Sequence, residues 1–380
     1  MARRLPLVEL DGGPREWGLQ HGRAAKREVE HNVRAYLRRF TEWARIPRDE
    51  VRRRADAYRT VIEEANPDYA RCMEGIAEGS GQDVADVVAV NVRYEMMYSE
   101  FADRGMKGPM APAASGGCTS FALLPALAAN GHLLMGQNWD WIPESQGLLL
   151  RTRTEDGMRG VAFTEAGIAG AKIGFNDAGV GLAVNGLVSS ADSWANLRRP
   201  FHVRCWEALR ARTLSEAERA VAGGTRACSA NFLIAHAGRD PQVMDIEAAP
   251  EAVCRILPTV GFLAHTNHFS DPEALGVWQP LGDDRKSTLH RLARMQAMLA
   301  DAATKGKVGV EDLKRMLRDH DGRPNSVCRH PDEAFPPDDR YETVVSVVMD
   351  LDAREMSVAS GNPCAARYKR VELESGTSSG

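Results

Sequence analysis

The run Gly116-Gly117-Cys118-Thr119-Ser120-Phe121 decides how this chain is read, and Gly136-Gln137-Asn138-Trp139-Asp140-Trp141 follows a short way on. A cysteine behind two glycines becomes an amino-terminal nucleophile if the chain is cut between Gly117 and Cys118. The freed α-amine has a pKa of about 8, close to a thiol's value of about 8.5, so it can serve as that thiol's own base. A free cysteine at the start of a strand is otherwise a small buried hydrophobe.

Working outward, the first hundred residues or so read as mainly helical. Apolar and charged residues alternate at helical spacing over 15–44, 51–64 and 84–98. The segment 103–117 is rich in Gly, Pro and Ala without a periodic pattern, and reads as a linker. Beyond Cys118 the pattern turns to strands, expected at 119–124, 132–136, 148–153, 160–164, 171–175 and 180–185. Helices follow at 203–212 and 215–222, then strands at 231–235, 242–247 and 261–265. Helices at 287–299 and 310–319 precede closing strands at 343–351, 355–359 and 367–373. Two batches of strands with helices between them predict an α+β layered domain, and the short turns favour antiparallel sheets.

At 380 residues with 43% hydrophobic and 26% charged residues, the chain has ordinary globular composition. Its net charge of −4 gives no basis for a nucleic-acid partner. Seven cysteines, an odd number with no two separated by only two residues, fit a reduced intracellular protein. No stretch approaches the roughly 20 apolar residues of a membrane span, so a cytoplasmic location with no membrane partner is expected.

Gly-Cys-Thr-Ser at 117–120 followed by Gly-Gln-Asn-Trp-Asp at 136–140 resembles the precursor of isopenicillin N acyltransferase and its bacterial relatives. These are amino-terminal-nucleophile (Ntn) hydrolases, more distantly similar to choloylglycine hydrolases, penicillin V acylases and acid ceramidases. The resemblance implies an αββα sandwich of two mainly antiparallel sheets between helical layers, with an amino-terminal helical segment. It also implies autocatalytic cleavage at Gly117–Cys118, giving a small subunit of residues 1–117 and a catalytic subunit of 118–380.

Carried over residue by residue, the resemblance makes Cys118 the nucleophile and Asp140 the anchor of its new α-amine. Gln137 stands where the hydrolase branches carry arginine, which argues against a bile-acid or ceramide substrate and places Gln137 beside the substrate. Asn267, within His265-Thr266-Asn267-His268-Phe269, would donate to the oxyanion. Asn185 would be a second oxyanion contributor or a strand cap. Arg285, within Asp283-Asp284-Arg285, would reach the active site or pair with Asp284 at the surface. Trp139 and Trp141 are expected on opposite sides of a strand, one lining an acyl pocket. His265 and His268 are three apart but lack further ligands at zinc spacing, so no metal is expected.

The function implied is acyl transfer through a Cys118 thioester, from a small acyl amide or a coenzyme A thioester to water or an amine. Coenzyme A would be a cosubstrate, with no resident cofactor. The alternatives are a dedicated amidase that never uses coenzyme A, and a catalytically silent binding homologue.

Overall fold

A computed structural model describes residues 4–107, 117–280 and 284–373, with backbone alone at 106–107 and 284–285. The chain opens with a strand, β1 (Leu7–Gly12), that the helical reading of this region did not include. Val8 and Leu10 are buried while Leu7 and Glu9 face out, the two-residue alternation of a half-buried strand. Six helices follow: α1 (Pro14–Ala24), α2 (Lys26–Arg38), α3 (Arg48–Ala65), α4 (Pro67–Ser80), α5 (Val84–Asn91) and α6 (Arg93–Lys107). The helix expected over 15–44 is broken at Ala25, where φ −121° and ψ 31° leave the α region, and α2 then runs into a π-helical segment at Arg39–Trp43. The first residues of the expected linker belong to α6, and 108–116 lie outside the described residues.

α4 also lay outside the sequence reading. Its start is built by Asn66, whose side chain accepts the Tyr69 N–H at 2.9 Å, with Pro67 in the first turn and Gly81 at φ 73° closing the helix. Its two interior glycines make it a poor helix in isolation, but they meet α1. A Cβ on Gly75 would lie 2.4 Å from the Arg15 carbonyl oxygen, and one on Gly18 would lie 2.1 Å from that of Cys72. The two helices touch backbone to backbone, so Gly18→Ala is expected to cost about 1–3 kcal/mol through overpacking. A urea midpoint equal to that of the parent would contradict this.

After Cys118 come β2 (Thr119–Leu123), β3 (Leu134–Trp141), β4 (Gly147–Thr154), β5 (Arg159–Glu165), β6 (Ile173–Asn176) and β7 (Val180–Gly186). Then follow α7 (Phe201–Ala208), α8 (Leu214–Ala222), β8 (Ala230–His236), β9 (Gln242–Ala248), β10 (Val253–Ile256) and β11 (Phe262–His265). The chain continues through α9 (Asp284–Lys305), α10 (Val310–Met316), β12 (Glu342–Asp350), β13 (Glu355–Ser360) and β14 (Lys369–Glu372).

The strands form one sheet in the order β1-β4-β5-β6-β7-β8-β9-β10 and another in the order β11-β2-β3-β12-β13-β14. Within both sheets every pairing is antiparallel except β1 on β4. The sheets face each other through β2 and β3 against β7 and β8. Helices α7 and α8 cover the larger sheet, while α9 and α10 cover the smaller. This is the αββα sandwich expected from the sequence, with α1 to α6 as its amino-terminal helical part. One apolar core runs from Val8 through Tyr36, Met97 and Trp139 to Val358, so residues before Cys118 and after it bury the same surface.

Candidate active site

Cys118 stands immediately before β2, and the β2–β3 register sets Thr119 against Asn138. The Cys118 Sγ therefore lies near the end of β3, 3.8 Å from the Asp140 carbonyl oxygen. β12 pairs on the other side of β3 and sets Thr343 opposite Asp140, next to a bulge. The Thr343 hydroxyl donates to Asp140 Oδ1 at 2.7 Å and accepts the Arg329 N–H at 3.0 Å. Asp140 Oδ2 is buried and has no hydrogen-bond partner among the described residues. A Cβ on Gly117 would lie 2.9 Å from that oxygen and 2.2 Å from Arg329 Nη1. Only glycine fits between this carboxyl and the Arg329 guanidinium.

Burial pushes the Asp140 carboxyl up to about 7, against the opposing pull of Arg291, Arg329 and the Thr343 hydroxyl. Burial, reinforced by Asp140, pushes the Cys118 thiol up to about 12, with Arg291 and Lys172 opposing. In the intact chain the thiol is therefore a neutral S–H beside a carboxyl that ionises near neutrality.

Arg291, which the sequence reading did not single out, reaches Cys118. The side chain of Arg285, expected from sequence, lies outside the described residues. Arg291 is fully buried and donates to the Cys118 carbonyl oxygen at 2.6 Å and to Thr119 Oγ1 at 3.1 Å. Its other terminal nitrogen donates to Asn267 Oδ1 at 3.1 Å. Asn267 is held further by its N–H on Thr288 Oγ1 at 2.8 Å, and its side-chain amide donates to the Gly186 carbonyl at 3.0 Å. Arg291 thus couples Cys118 to Asn267.

Cys118 lines a small cavity of about 20 Å³, room for about one water molecule. Tyr94 and Tyr98 from α6, Phe201 from α7, and Trp139 and Trp141 from β3 make its aromatic walls. The two tryptophans are two positions apart and so share a face of the strand, with ring centroids 6.1 Å apart. The expectation that they diverge is corrected. Asn185 also lines the cavity, its Oδ1 accepting from Ser120 at 2.7 Å and its Nδ2 held by the His265 carbonyl over a long 3.4 Å. Gln137 does not line it. Both ends of its amide are bonded to the Val184 backbone, so it bridges the two sheets.

Sequence reasoning missed the charges at one end of this cavity. Arg93 and Lys172 line it and both pair with the buried carboxylate of Glu165, which also accepts from Tyr36 and Ser145. The Lys172 Nζ sits 3.6 Å from the Trp139 ring centroid. Burial works against ionised Glu165, yet Arg93 and then Lys172 hold it well below the usual carboxylate range. Burial brings the Lys172 amine down to about 8 despite Glu165. Two cations on one carboxylate leave the wall with a surplus positive charge whenever Lys172 is protonated.

His265 and His268 are bonded within their own neighbourhood. His265 Nε2 lies 2.9 Å from Glu247 Oε1, and His268 Nδ1 lies 3.0 Å from Thr288 Oγ1. Both fix the loop that carries Asn267. Among the described residues, no helix is long and apolar enough to cross a membrane.

A sequence model of the family described as acyl-coenzyme A:6-aminopenicillanic acid acyl-transferase matches residues 127–365. The "acyl-coenzyme A:6-aminopenicillanic-acid-acyltransferase 40 kDa form" of Emericella nidulans is 29% identical over 364 residues, covering 94% of this chain and 92% of that protein. Among solved structures, the penicillin V acylase from Agrobacterium tumefaciens is similar at 14% identity and a TM-score of 0.46, covering 67% of this chain and 86% of its own. The N-acylethanolamine-hydrolyzing acid amidase ortholog from Caenorhabditis elegans is similar at 17% identity and a TM-score of 0.43, covering 62% and 93%.

Proposed function

Because the chain belongs to the acyl-coenzyme A:6-aminopenicillanic acid acyl-transferase family, we propose that it is a self-processing enzyme transferring acyl groups through a thioester on Cys118. The observation that carries this reading is the buried, unpartnered Asp140 Oδ2 beside the Gly117–Cys118 junction, with the Cys118 sulfur at the cavity wall. A new α-ammonium group at Cys118 would supply the donor that this oxygen lacks.

In the processing step, the sulfur attacks the Gly117 carbonyl carbon, a thioester forms and the C–N bond breaks. The nitrogen of Cys118 takes up the thiol's proton. Water then hydrolyses the thioester, releasing residues 1–117 with a carboxylate terminus and restoring the thiol. The small subunit stays in place because α6 supplies the cavity's tyrosines and the core is shared across the cut.

In the catalytic cycle the α-amine takes the thiol proton, held by Asp140, and the sulfur attacks an acyl carbonyl. The departing amine takes the proton back, or coenzyme A leaves as its thiol when a thioester is the donor. Water or an amine then accepts the acyl group. Asn185, at the cavity wall, is the amide proposed to donate to the oxyanion, and Asn267, tied to Cys118 through Arg291, is proposed to join it once the site rearranges around substrate. The aromatic walls favour an apolar or aromatic acyl chain, and because the uncut chain leaves room for only about one water there, the pocket has to open before such a chain enters. No resident cofactor takes part.

The test is a short exposure of processed protein to an N-aryl-acetyl amide, followed by quench and mass analysis. The acyl mass is expected on the fragment that begins at Cys118, and one equivalent of a thiol alkylator is expected to abolish turnover. Release of free thiol from an acyl-coenzyme A thioester would assign transferase use, and its absence a dedicated amidase. Turnover that survives full alkylation of Cys118 would overturn the reading.

A further inference from the structure

A second cluster lies behind Asp140, in the segment between α10 and β12 and the segment between β13 and β14. His320, Cys328, His330 and Cys364 each turn one donor atom toward a common point, and all four atoms lie within 4.8 Å of one another. The two histidine Nε2 atoms are 3.2 Å apart. His330 Nε2 lies 3.7 Å from Cys328 Sγ and 3.5 Å from Cys364 Sγ. A tetrahedral zinc ion with Zn–S of about 2.3 Å and Zn–N of about 2.0–2.1 Å requires N···N of about 3.4 Å and N···S of about 3.5 Å. The three edges that meet at His330 Nε2 come within a few tenths of an ångström of those spacings, and the other three lie within 4.8 Å. We propose that His320, Cys328, His330 and Cys364 form a structural zinc site.

The donor set supports that metal over others. Two thiolates and two imidazoles suit zinc, while magnesium and calcium take oxygen ligands. Four protein ligands close the coordination sphere, which is the arrangement of structural rather than catalytic zinc. Binding displaces one proton from each thiol, so two protons are released per ion. Cys328 is buried, whereas the two histidines are half-buried and Cys364 is exposed, which leaves a path for the ion.

The site's position gives it a purpose. Cys328 and His330 flank Arg329, whose N–H bonds the Thr343 hydroxyl that in turn holds Asp140. The Asn138 amide clamps the same loop through the Leu317 and Val327 carbonyls, each at 2.8 Å. Zinc would tie this loop to the segment after β13 through Cys364 and so fix Arg329 and Thr343 against β3. None of this depends on the acyl-transfer reading.

The full-length chain, expressed with zinc and passed through a desalting column, is expected to carry one zinc per chain by elemental mass spectrometry. Cobalt(II) added after zinc removal should give the visible bands of a tetrahedral site together with thiolate-to-cobalt charge transfer. Cys364→Ser and His320→Ala should each lose most of the metal and melt several degrees lower, while Cys254→Ser, a half-buried cysteine outside the cluster, should keep both. The cobalt titration of the parent chain decides the matter even if a variant fails to fold. The proposal is overturned by a parent that binds neither ion, by a Cys328–Cys364 disulfide seen as a loss of two mass units, or by unchanged zinc content in both variants.

Discussion

Cys118→Ala is expected to leave the 380-residue chain uncut and to reduce acyl transfer by about 10⁴-fold or more, to the level of background. The neighbouring hydroxyls cannot take over, because each is already committed. Thr119 Oγ1 accepts from Arg291, and Ser120 Oγ donates to Asn185. Losing one sulfur atom from the cavity wall removes little packing, so the melting temperature should change by only a few degrees. Turnover above one part in a hundred of the parent would show that another group carries the chemistry. Cys118→Ser sharpens the comparison, since a hydroxyl can still attack Gly117 but is far harder to deprotonate.

Asp140→Asn should cut turnover of processed enzyme by about 10²–10⁴-fold while barely moving thermal unfolding, because the carboxylate is proposed to hold the α-amine rather than to fill space. The pH dependence has a definite sign. In the uncut chain burial raises this carboxyl from 3.8 to about 7, so its ionised fraction grows as pH rises toward that value. With the ionised carboxyl taking the Cys118 thiol proton as the sulfur attacks Gly117 and passing it to the Cys118 nitrogen, self-cleavage is expected to accelerate through that range and level off above it. The protonated carboxyl's contribution to stability runs the other way: it is complete below about 3.8 and is lost as pH rises through about 7. The uncut chain is thus least favoured where it cuts fastest, and the new ammonium group relieves the buried anion. Asp140→Asn should abolish the inflection. Near-normal turnover in a correctly processed variant would exclude the assignment.

Much of this was legible in the sequence. Most strands fell where alternation, or a short apolar run bounded by turn residues, placed them; β2, β3 and β7 are buried along their whole length and carry only the second signal. β1 carries the same alternation in Leu7 to Leu10, yet it lies far in sequence from its partner β4 and inside an otherwise helical region. α4 escaped because Gly75 and Gly79 lower its helix propensity, and their reason for being there is α1, which packing alone reveals.

At the site, Cys118 and Asp140 came from adjacent strands and were readable as a motif. Arg291 was not, although a signal existed. Thr288, Arg291, Met295 and Leu299 are the fully buried positions along one stripe of α9, and an arginine in such a stripe must have partners inside the protein. Gln137 misled because its place three residues before Asp140 in the motif says nothing of its direction. The Val184 backbone takes both ends of its amide. The zinc cluster was unreadable for a related reason, since Cys364 joins the other three ligands only after β13 has folded back.

The most direct test of the central claim is the intact mass of the purified parent chain under denaturing conditions, with the amino terminus of each fragment sequenced. Two fragments are expected, the larger beginning Cys118-Thr119-Ser120 and carrying the nucleophile. A single uncut chain that nonetheless turns over acyl amides at full rate would contradict the account, and the Cys118 thiol would then need a base other than its own amine.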